Sequence, residues 1–310
     1  MSTLTGPAGV VAASLTAFKP DLSIDTERTL AHAKWLLANG CDGVLIFGTT
    51  GEANSLSVAE RLEVIEAIGK SDLPKDKLMI GTGCCAIPDT VALSKAALAA
   101  GVVRLLMLPP FYYKNQSEDG LYAAFATAID RINDPRMKIF LYHFPQMSGV
   151  PIPDAVTAKL IKNYPGIVVG MKDSSGDFEH MKKMLTEHPG FELYSGTEKY
   201  LLDVLRLGSP GTISATVNVT CAQAAKVYAN WKSDQADALQ AEMTAQRVAM
   251  ESAPAASAMK EMIARQTGDS AWRPVRPPFV AISDERYAAL EEKLAQTQFR
   301  FPGTQAKAAE

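Results

Sequence analysis

The sequence has no excess of basic residues, which argues against nucleic acid as a partner. Its 31 lysines and arginines are outnumbered by 34 aspartates and glutamates, giving a net charge of −3, so little would balance a phosphate backbone. No apolar run approaches the ~20 residues of a membrane span. The apolar residues 10–18 follow no lysine or arginine, unlike a signal peptide. We therefore expect a soluble, cytoplasmic protein without a membrane partner.

Cysteine and histidine are both scarce, and their spacing fits neither a disulfide framework nor a zinc site. Cys84 and Cys85 are adjacent, while Cys41 and Cys221 stand alone, so the spaced pairs that bind zinc do not occur. Only four histidines are present. A metal-dependent active site would need histidine or acidic residues clustered at strand ends. The sequence therefore gives no sign of a metal centre.

The chain of 310 residues is long enough for two ordinary domains or for one large α/β barrel. Short apolar runs alternate with longer helical patterns, and most are almost continuously apolar, as in parallel strands buried on both faces. The runs cover residues 10–18, 43–48, 78–83, 102–108, 138–143, 167–172, 192–195 and 212–216. These repeated units favour a (β/α)₈ TIM barrel. An open doubly wound sheet is the main competitor, but residues 16–20 contain no glycine-rich phosphate turn.

Local signals mark the ends of several helices. Ser57 followed by Glu60 predicts a capping box, and Asp177 predicts a second N-cap. Three glycines stand where helices should end before the next strand, which is the usual C′ position of glycine; they are Gly40, Gly101 and Gly208.

The barrel pattern ends near Trp231. We therefore predict a barrel domain over residues 1–231 that carries the active site, and a C-terminal helical extension over residues 232–310. In that extension the pattern predicts one or two helices in 233–267, an extended crossing at 273–278, a last helix at 283–295 and a loose tail at 301–310.

In a TIM barrel the active site lies at the C-terminal ends of the strands. The second run ends in the sequence Gly48-Thr49-Thr50-Gly51-Glu52. Its two hydroxyls, with backbone amides flanked by glycine, suit a small carboxylate. The alternative is an ordinary turn at a helix start.

The fifth and sixth runs end in a tyrosine and a lysine. Because side chains alternate along a strand, Tyr142 pointing into the barrel mouth would turn His143 toward the helices as a structural residue. Lys172 closes an apolar run, and lysine is seldom buried without a reason. Desolvation lowers the pKa of a lysine, as a Schiff-base nucleophile requires. The alternative is a structural salt bridge between Lys172 and either Asp173 or Glu198.

Four motifs, in this order and spacing, resemble the dihydrodipicolinate synthase/N-acetylneuraminate lyase family over about residues 10–231. They are Gly48-Thr-Thr-Gly-Glu52, Tyr142-x-x-Pro145, Gly170-Met-Lys-Asp173 and Gly211-Thr-Ile-Ser-Ala-Thr-Val-Asn218. The resemblance implies a class I aldolase that condenses pyruvate with an aldehyde, or runs the reverse, and that needs neither metal nor cofactor.

The resemblance also implies roles for individual residues. Lys172 would form the imine with pyruvate, and Tyr142 would be the general acid/base. Thr49 would link Tyr142 to a second tyrosine supplied by a neighbouring subunit. Counting from Pro110 favours Tyr112 for that tyrosine and counting back from Gly120 favours Tyr113; we prefer Tyr112.

The pyruvate pocket would be completed by three further residues. Thr50, together with Thr49 and the adjoining Gly48, would hold the pyruvate carboxylate. The carbonyl of Ile213 would line the same pocket. A tyrosine borrowed from a neighbouring subunit further implies a homo-oligomer, at least a dimer and, by family, a tetramer.

Two departures from the family pattern concern the aldehyde. Synthases of lysine biosynthesis carry an arginine for the substrate carboxylate where this chain has Met147, which cannot make a bidentate contact. The acidic pair of the lyases is present only in part, and Ala215 replaces a serine. We expect Glu198 to bind hydroxyls of a sugar-acid aldehyde, or else to form an ion pair at a helix start. The expected acceptor pocket consists of Met147, Ser148, Gly196, Thr197 and Glu198.

These observations give one leading hypothesis and three alternatives. The leading one is a Schiff-base lyase acting on a 2-oxo acid such as a 2-keto-3-deoxy sugar acid. The nearest alternative is 4-hydroxy-tetrahydrodipicolinate (dihydrodipicolinate) synthase of lysine biosynthesis. A metal-dependent aldolase would need a cluster of ligands at the strand ends, where His143 is the one histidine that we expect. The remaining alternative is a non-catalytic barrel that binds a small acid.

Overall fold

The computed structural model describes residues 4–303, which contain a closed barrel of eight parallel strands. Each strand pairs with the next one along the chain, and the last pairs with the first. The strands are β1 (Gly9–Ala13), β2 (Gly43–Ile46), β3 (Leu78–Gly81), β4 (Arg104–Met107), β5 (Lys138–His143), β6 (Val168–Asp173), β7 (Glu192–Ser195) and β8 (Gly211–Ser214). The TIM barrel predicted from the apolar runs is confirmed.

Helices connect the strands and cover the outside of the barrel. They are α1 (Thr26–Ala38), α2 (Val58–Lys70), α3 (Ile87–Ala99), α4 (Glu118–Ile132), α5 (Pro145–Ser148), α6 (Asp154–Asn163), α7 (Phe178–Glu187), α8 (Leu201–Arg206) and α9 (Val217–Asn230). The Ser57 side chain accepts from the amide of Glu60 in a capping box, and Asp177 caps α7 by accepting from the amide of His180. Both predicted N-caps are therefore confirmed.

The strands are apolar on both faces because both faces are buried. The inner side chains form a cluster inside the barrel, consisting of Val11, Ala13, Leu45, Met79, Leu106, Phe140, Tyr142, Tyr194 and Ile213. The outer side chains, such as Val44, Leu105 and Leu141, pack in a larger core with the helices. Several predicted runs extend beyond the strands that they contain, because the loops at the strand ends are buried as well.

The three glycines predicted to end helices lie directly after the C-caps of α1, α3 and α8. Gly40, Gly101 and Gly208 all have positive φ, with 87° at Gly101. A residue with a Cβ adopts this left-handed conformation only at a cost, which is why glycine is common at the C′ position.

Three more helices follow the barrel: α10 (Ala236–Met250), α11 (Ala255–Thr267) and α12 (Asp284–Ala295). The predicted crossing at 273–278 is irregular and ends in a turn at residues 277–278. These helices share a core with the loop after β1, in which Leu15 and Ala17 pack with Met259, Trp272 and Tyr287. The division of the chain at residue 231 stays a prediction. Residues 304–310 of the predicted tail lie outside the described residues. No helix within 4–303 has both the length and the apolarity to cross a bilayer.

Candidate active site

Strand register brings Tyr142 and Lys172 to the same level inside the barrel. Tyr142 of β5 pairs with Lys172 of β6, and Lys172 pairs with Tyr194 of β7. The next residues along the two strands, His143 and Asp173, pair with each other and turn toward the helices. The predicted alternation of Tyr142 and His143 is therefore confirmed.

Lys172 is buried and its amine faces the Tyr142 hydroxyl. Its Nζ lies 3.4 Å from the Tyr142 Oη and 4.6 Å from the centre of the Tyr142 ring. Within residues 4–303 that hydroxyl is its one hydrogen-bond partner. The salt bridge considered for Lys172 is wrong, because Asp173 binds His180 and Glu198 binds Arg247. Lys172 is thus a buried amine without a carboxylate partner.

The turn after β2 brings two hydroxyls to the same place. Thr49 Oγ1 lies 3.3 Å from the Tyr142 Oη, and Thr49 and Thr50 are both half-buried in the cavity wall. The turn begins and ends at residues in the left-handed region, since φ is 64° at Phe47 and 56° at Glu52. Such backbone is strained for residues other than glycine and persists only where surrounding contacts hold it.

A cavity of about 410 Å³ opens above these residues. Thr49, Thr50, Tyr142 and Lys172 lie at its base. The other residues that line it are Phe144, Met147, Ser174, Gly176, Gly196, Thr197, Lys199, Ala215, Arg247, Glu251, Pro254, Ala255, Ala256 and Phe279. Its size and its concentration of polar groups beside an apolar wall are typical of a small-molecule site.

Two residues expected in the pyruvate pocket do not line this cavity. Gly48 borders a smaller space that also contacts Thr49 and Tyr142. Ile213 is fully buried in the interior cluster of the barrel.

The predicted acceptor residues are only partly brought together. Met147 stands at the rim with 61% of its surface exposed, and Gly196 and Thr197 line the cavity. A Cβ on Gly196 would lie 2.1 Å from the Ser174 Oγ, so only glycine permits this close approach of two loops. Ser148 is buried instead, and its hydroxyl donates to the carbonyls of Phe144 and Val150.

The prediction that Glu198 lines the acceptor pocket is wrong. Its side chain is fully buried behind the wall, where Ser214 Oγ donates to it at 2.6 Å and Arg247 Nη1 donates at 2.9 Å. The hydroxyl of Thr216 also donates to this carboxylate. A carboxylate with no exposure needs such partners because burying an unpaired charge is costly. The structure instead contains the alternative, an ion pair of Glu198, which it forms with Arg247.

Two charged residues that line the cavity and were not predicted from the sequence come from the helical extension. Arg247 of α10 and Glu251, which directly follows that helix, both line the cavity, with Arg247 Nε donating to Glu251 at 3.0 Å. Burial would lower the pKa of Arg247, but the carboxylates of Glu198 and Glu251 outweigh it and the pKa is raised. The i,i+4 spacing of opposite charges was a visible signal, but it is equally typical of a solvated helix.

The two candidate relay tyrosines are exposed on the loop after β4. Tyr112 and Tyr113 expose 74% and 72% of their surfaces and stack edge to face at 5.3 Å. Neither lines the cavity of its own chain. Lys114 Nζ donates to the carbonyl of Ser148 at 2.5 Å and so fixes this loop against α5.

One cluster of possible metal ligands occurs within residues 4–303: donor atoms of His143, Asp173 and His180 lie within 4.8 Å of one another. The cluster faces the helices, on the other side of β6 from Lys172. Its atoms are already hydrogen-bonded, because the His180 nitrogens face Asp173 at 2.6 Å and Asp154 at 3.2 Å. The Asp173 carboxylate accordingly raises the pKa of His180. The cluster fits a proton-bridged network that holds the end of β6.

Known proteins are similar to this chain in sequence and in fold. The model of the dihydrodipicolinate synthetase family matches residues 6–297. An uncharacterised DapA-like lyase of Chloroflexus aurantiacus is 34% identical over 286 residues, covering 92% of this chain and 95% of that protein. The crystal structure of dihydrodipicolinate synthase from Agrobacterium tumefaciens is 32% identical, with a TM-score of 0.86 and coverage of 94% and 99%.

Two further solved structures concern other members. YagE, a prophage protein of the dihydrodipicolinic acid synthase family from E. coli K12 that was crystallised with pyruvate, is 26% identical, with a TM-score of 0.84 and coverage of 94% and 99%. A variant of 2-keto-3-deoxygluconate aldolase from Sulfolobus solfataricus is 25% identical, with a TM-score of 0.82 and coverage of 93% and 95%. With a family match over nearly its whole length, this chain belongs to the dihydrodipicolinate synthetase family and is a class I aldolase/lyase.

Proposed function

We propose that Lys172 forms a Schiff base with pyruvate and that the resulting enamine forms a C–C bond with an aldehyde. In the reverse reaction the same C–C bond breaks and pyruvate and the aldehyde are released. The observation that carries this proposal is the buried Lys172 amine, whose one hydrogen-bond partner in the described chain is the Tyr142 hydroxyl at 3.4 Å. A structural lysine at such a depth would need a carboxylate.

The chemistry follows from these groups. The neutral amine of Lys172 adds to the C2 carbonyl of pyruvate, and the carbinolamine loses water to give an iminium. The iminium draws electrons from C3, which loses a proton and becomes an enamine nucleophile. Tyr142 carries protons to and from the carbinolamine oxygen, since its Oη lies near both the lysine Nζ and the Thr49 Oγ1. Addition of C3 to the aldehyde and hydrolysis of the imine complete the condensation.

The carboxylate of pyruvate is proposed to bind the Thr49-Thr50 turn. This turn presents both hydroxyls at the cavity base beside Lys172. We propose that Gly48 and the carbonyl of Ile213 complete the pocket, with Gly48 at the small space next to Thr49. YagE, crystallised with pyruvate, supports the choice of 2-oxo acid.

For the aldehyde we favour a hydroxylated compound, so that the full substrate is a 2-keto-3-deoxy sugar acid. The likeness to 2-keto-3-deoxygluconate aldolase supports this choice. The lysine-biosynthetic synthase remains the second candidate because of the 32% identity to dihydrodipicolinate synthase. Met147 at the rim argues against it, because a thioether makes no ionic contact with a carboxylate.

The proposal includes a homo-oligomer, a dimer or tetramer, in the cytoplasm. Two large aromatic side chains exposed side by side, Tyr112 and Tyr113, support a subunit contact. A reducing compartment is supported by four free cysteines: Cys41, Cys84, Cys85 and Cys221.

Trapping with borohydride tests the proposed chemistry. Pyruvate plus borohydride should give a stable pyruvyl adduct on Lys172, read by intact mass and peptide mapping, and chelator should not prevent it. Lys172→Ala should abolish the adduct and lower kcat at least ~10³-fold, because no other group supplies the electron sink. Lys199→Ala, which removes the other lysine of the same cavity, is the matched control and should keep the adduct. Folded protein without any adduct would favour a non-catalytic binding barrel.

A further inference from the structure

The acceptor side of the cavity has one wall that the C-terminal extension supplies. Arg247 of α10 and Glu251 directly after it lie against the loop that follows β7, and Lys199 of that loop lines the cavity with them. With the buried Glu198 behind them, these side chains form an ion cluster of four residues.

Arg247 has most of its donors committed to protein groups. Its Nη1 donates to Glu198 and to Ser214, both at 2.9 Å, and its Nε donates to Glu251 at 3.0 Å. Among the hydrogen bonds of residues 4–303, none uses Nη2. A bidentate grip on a carboxylate needs two parallel donors on one edge of the guanidinium. Here each edge already has one donor occupied, so a single nitrogen remains for a ligand.

The ion cluster is also balanced in charge. Glu198 and Glu251 carry two negative charges, and Lys199 and Arg247 carry two positive ones. Glu251 accepts from both cations, since Lys199 Nζ lies 3.1 Å from its carboxylate. A second carboxylate on the substrate would therefore meet no excess positive charge and would lie near Glu251. A hydroxyl, which both donates and accepts, fits beside the free Nη2 and the Glu251 carboxylate.

Other parts of the cavity lining are apolar. Phe144, Met147 and Phe279 form them, together with Ala255 and Ala256 at the start of α11. A short aldehyde that carries hydroxyls suits such a mixed lining, because its hydroxyls can bind the charged side chains and its C–H groups can pack against the apolar ones.

We propose that Arg247 and Glu251 determine aldehyde specificity, binding the hydroxyls of a neutral hydroxyaldehyde and excluding an aldehyde that carries a second carboxylate. This assignment rests on the proposed pyruvate chemistry at Lys172. The C-terminal extension then takes a direct part in substrate choice through α10. The buried Glu198 positions Arg247 by accepting a hydrogen bond from it.

Three aldehydes of similar length test the proposal, each condensed with pyruvate: glyceraldehyde, propanal without hydroxyls, and succinic semialdehyde with a carboxylate. The wild-type protein should show the highest kcat/KM with glyceraldehyde, by about tenfold over propanal. Equal kcat/KM values for glyceraldehyde and propanal, or a preference for succinic semialdehyde, would overturn the proposal.

Two variants separate the parts of the cluster. Arg247→Lys keeps a cation against the buried Glu198 but loses the free nitrogen, so KM for glyceraldehyde should rise about tenfold while propanal is unaffected. Glu251→Gln leaves the cluster with one excess positive charge and should raise kcat/KM for succinic semialdehyde about fivefold relative to glyceraldehyde. Because Glu251 is partly exposed, this variant should fold even if Arg247→Lys does not.

The control is Glu292→Gln, the same chemical change at an exposed position of α12. It should leave the kcat/KM values for the three aldehydes unchanged relative to one another. Pyruvate trapping on Lys172 is measured in every variant. Variants that trap pyruvate normally but change all aldehydes equally, or none, would overturn the specificity assignment alone. Failure of the wild-type protein to trap pyruvate would instead overturn the proposed function.

Discussion

At the scale of single residues, two adjacent residues at the end of β6 face opposite ways and have different roles. Lys172 points into the barrel toward Tyr142, and Asp173 points outward. The Asp173 carboxylate accepts from the amide and hydroxyl of Ser175 and binds His180. It thereby fixes the loop that carries Ser174 into the cavity wall. Positioning of the reactive lysine and support for the acceptor wall thus come from adjacent positions.

His32 shows what burial does to a titratable side chain away from the cavity. It lies between Trp35, which stacks on it at 5.7 Å, and Trp272, and its Nε2 donates to Asn218 Oδ1 at 2.9 Å. Desolvation by burial lowers its pKa from 6.5 to about 4, against a smaller opposing effect of the Asn218 hydrogen bond. Between pH 6.5 and about pH 4, His32 therefore binds a proton in the unfolded chain but not in the folded chain.

We therefore predict that stability falls as the pH drops from 6.5 toward 4, the window set by the pKa of His32. The loss from this residue totals about 3 kcal/mol. His32→Gln, which keeps a donor for Asn218, should destabilise the protein at neutral pH but remove this pH dependence. Urea unfolding at several pH values measures the difference in unfolding free energy between the two proteins, which should shrink on acidification. The control is His188→Gln, the same change at a half-buried histidine. If the unfolding free energies of wild type and His32→Gln changed in parallel with pH, the prediction would be contradicted.

At the scale of secondary-structure elements, the turn after β2 is held by the C-terminal extension. Glu52 ends that turn, and its fully buried carboxylate lies 2.6 Å from Nζ of Lys260 on α11. The amide of Arg276 donates to the same carboxylate at 2.9 Å. Lys260 also donates to the carbonyl of Pro274 and lies over the ring of Phe18. These contacts hold the left-handed backbone at Glu52 and so position the two threonines.

Removing one partner of this buried pair should be far worse than removing both. We predict that Lys260→Met costs about 3–5 kcal/mol of unfolding free energy, because it leaves the Glu52 carboxylate buried beside an apolar side chain. The double variant Glu52→Gln with Lys260→Met should recover a large part of that loss. Denaturant titrations measure both, and KM for pyruvate should rise in the single variant because the turn loosens.

The same chemical change at the surface provides the control. Lys70 pairs with Glu66 on α2 with both side chains mostly exposed, and Lys70→Met should leave the denaturation midpoint nearly unchanged. If Lys260→Met behaved like Lys70→Met, the buried pair would not be what holds the turn.

At the scale of the whole molecule, the sequence predicts those structural features that depend on the local pattern of residues along the chain. The apolar runs predicted the barrel, and alternation along β5 predicted that Tyr142 and His143 face opposite ways, because strand geometry has a fixed period. The partners of Glu52 and Glu198 were not predictable. Lys260 is 208 positions from Glu52, and Arg247 is 49 positions from Glu198. Packing of the extension onto the barrel decides these contacts, and no local pattern encodes it.

A prediction about assembly follows from the exposure of Tyr112 and Tyr113, which lie outside the cavity of their own chain. If Tyr112 of one subunit serves the site of another, Tyr112→Phe should lower kcat about 10²-fold, Tyr113→Phe should have little effect, and the active protein should sediment as an oligomer. The reverse pattern would assign the relay to Tyr113.

Mixed oligomers test the exchange directly. A dimer of one Lys172→Ala subunit and one Tyr112→Phe subunit contains one site with Lys172 intact that receives an unaltered Tyr112 from its neighbour. Random mixing of the two inactive variants should then restore about a quarter of wild-type activity, because half of the dimers are mixed and each has one complete site. A tyrosine acting within its own chain would give no complete site at all. Mixtures that stay inactive, with mixed dimers verified by mass, would therefore place the relay within one subunit.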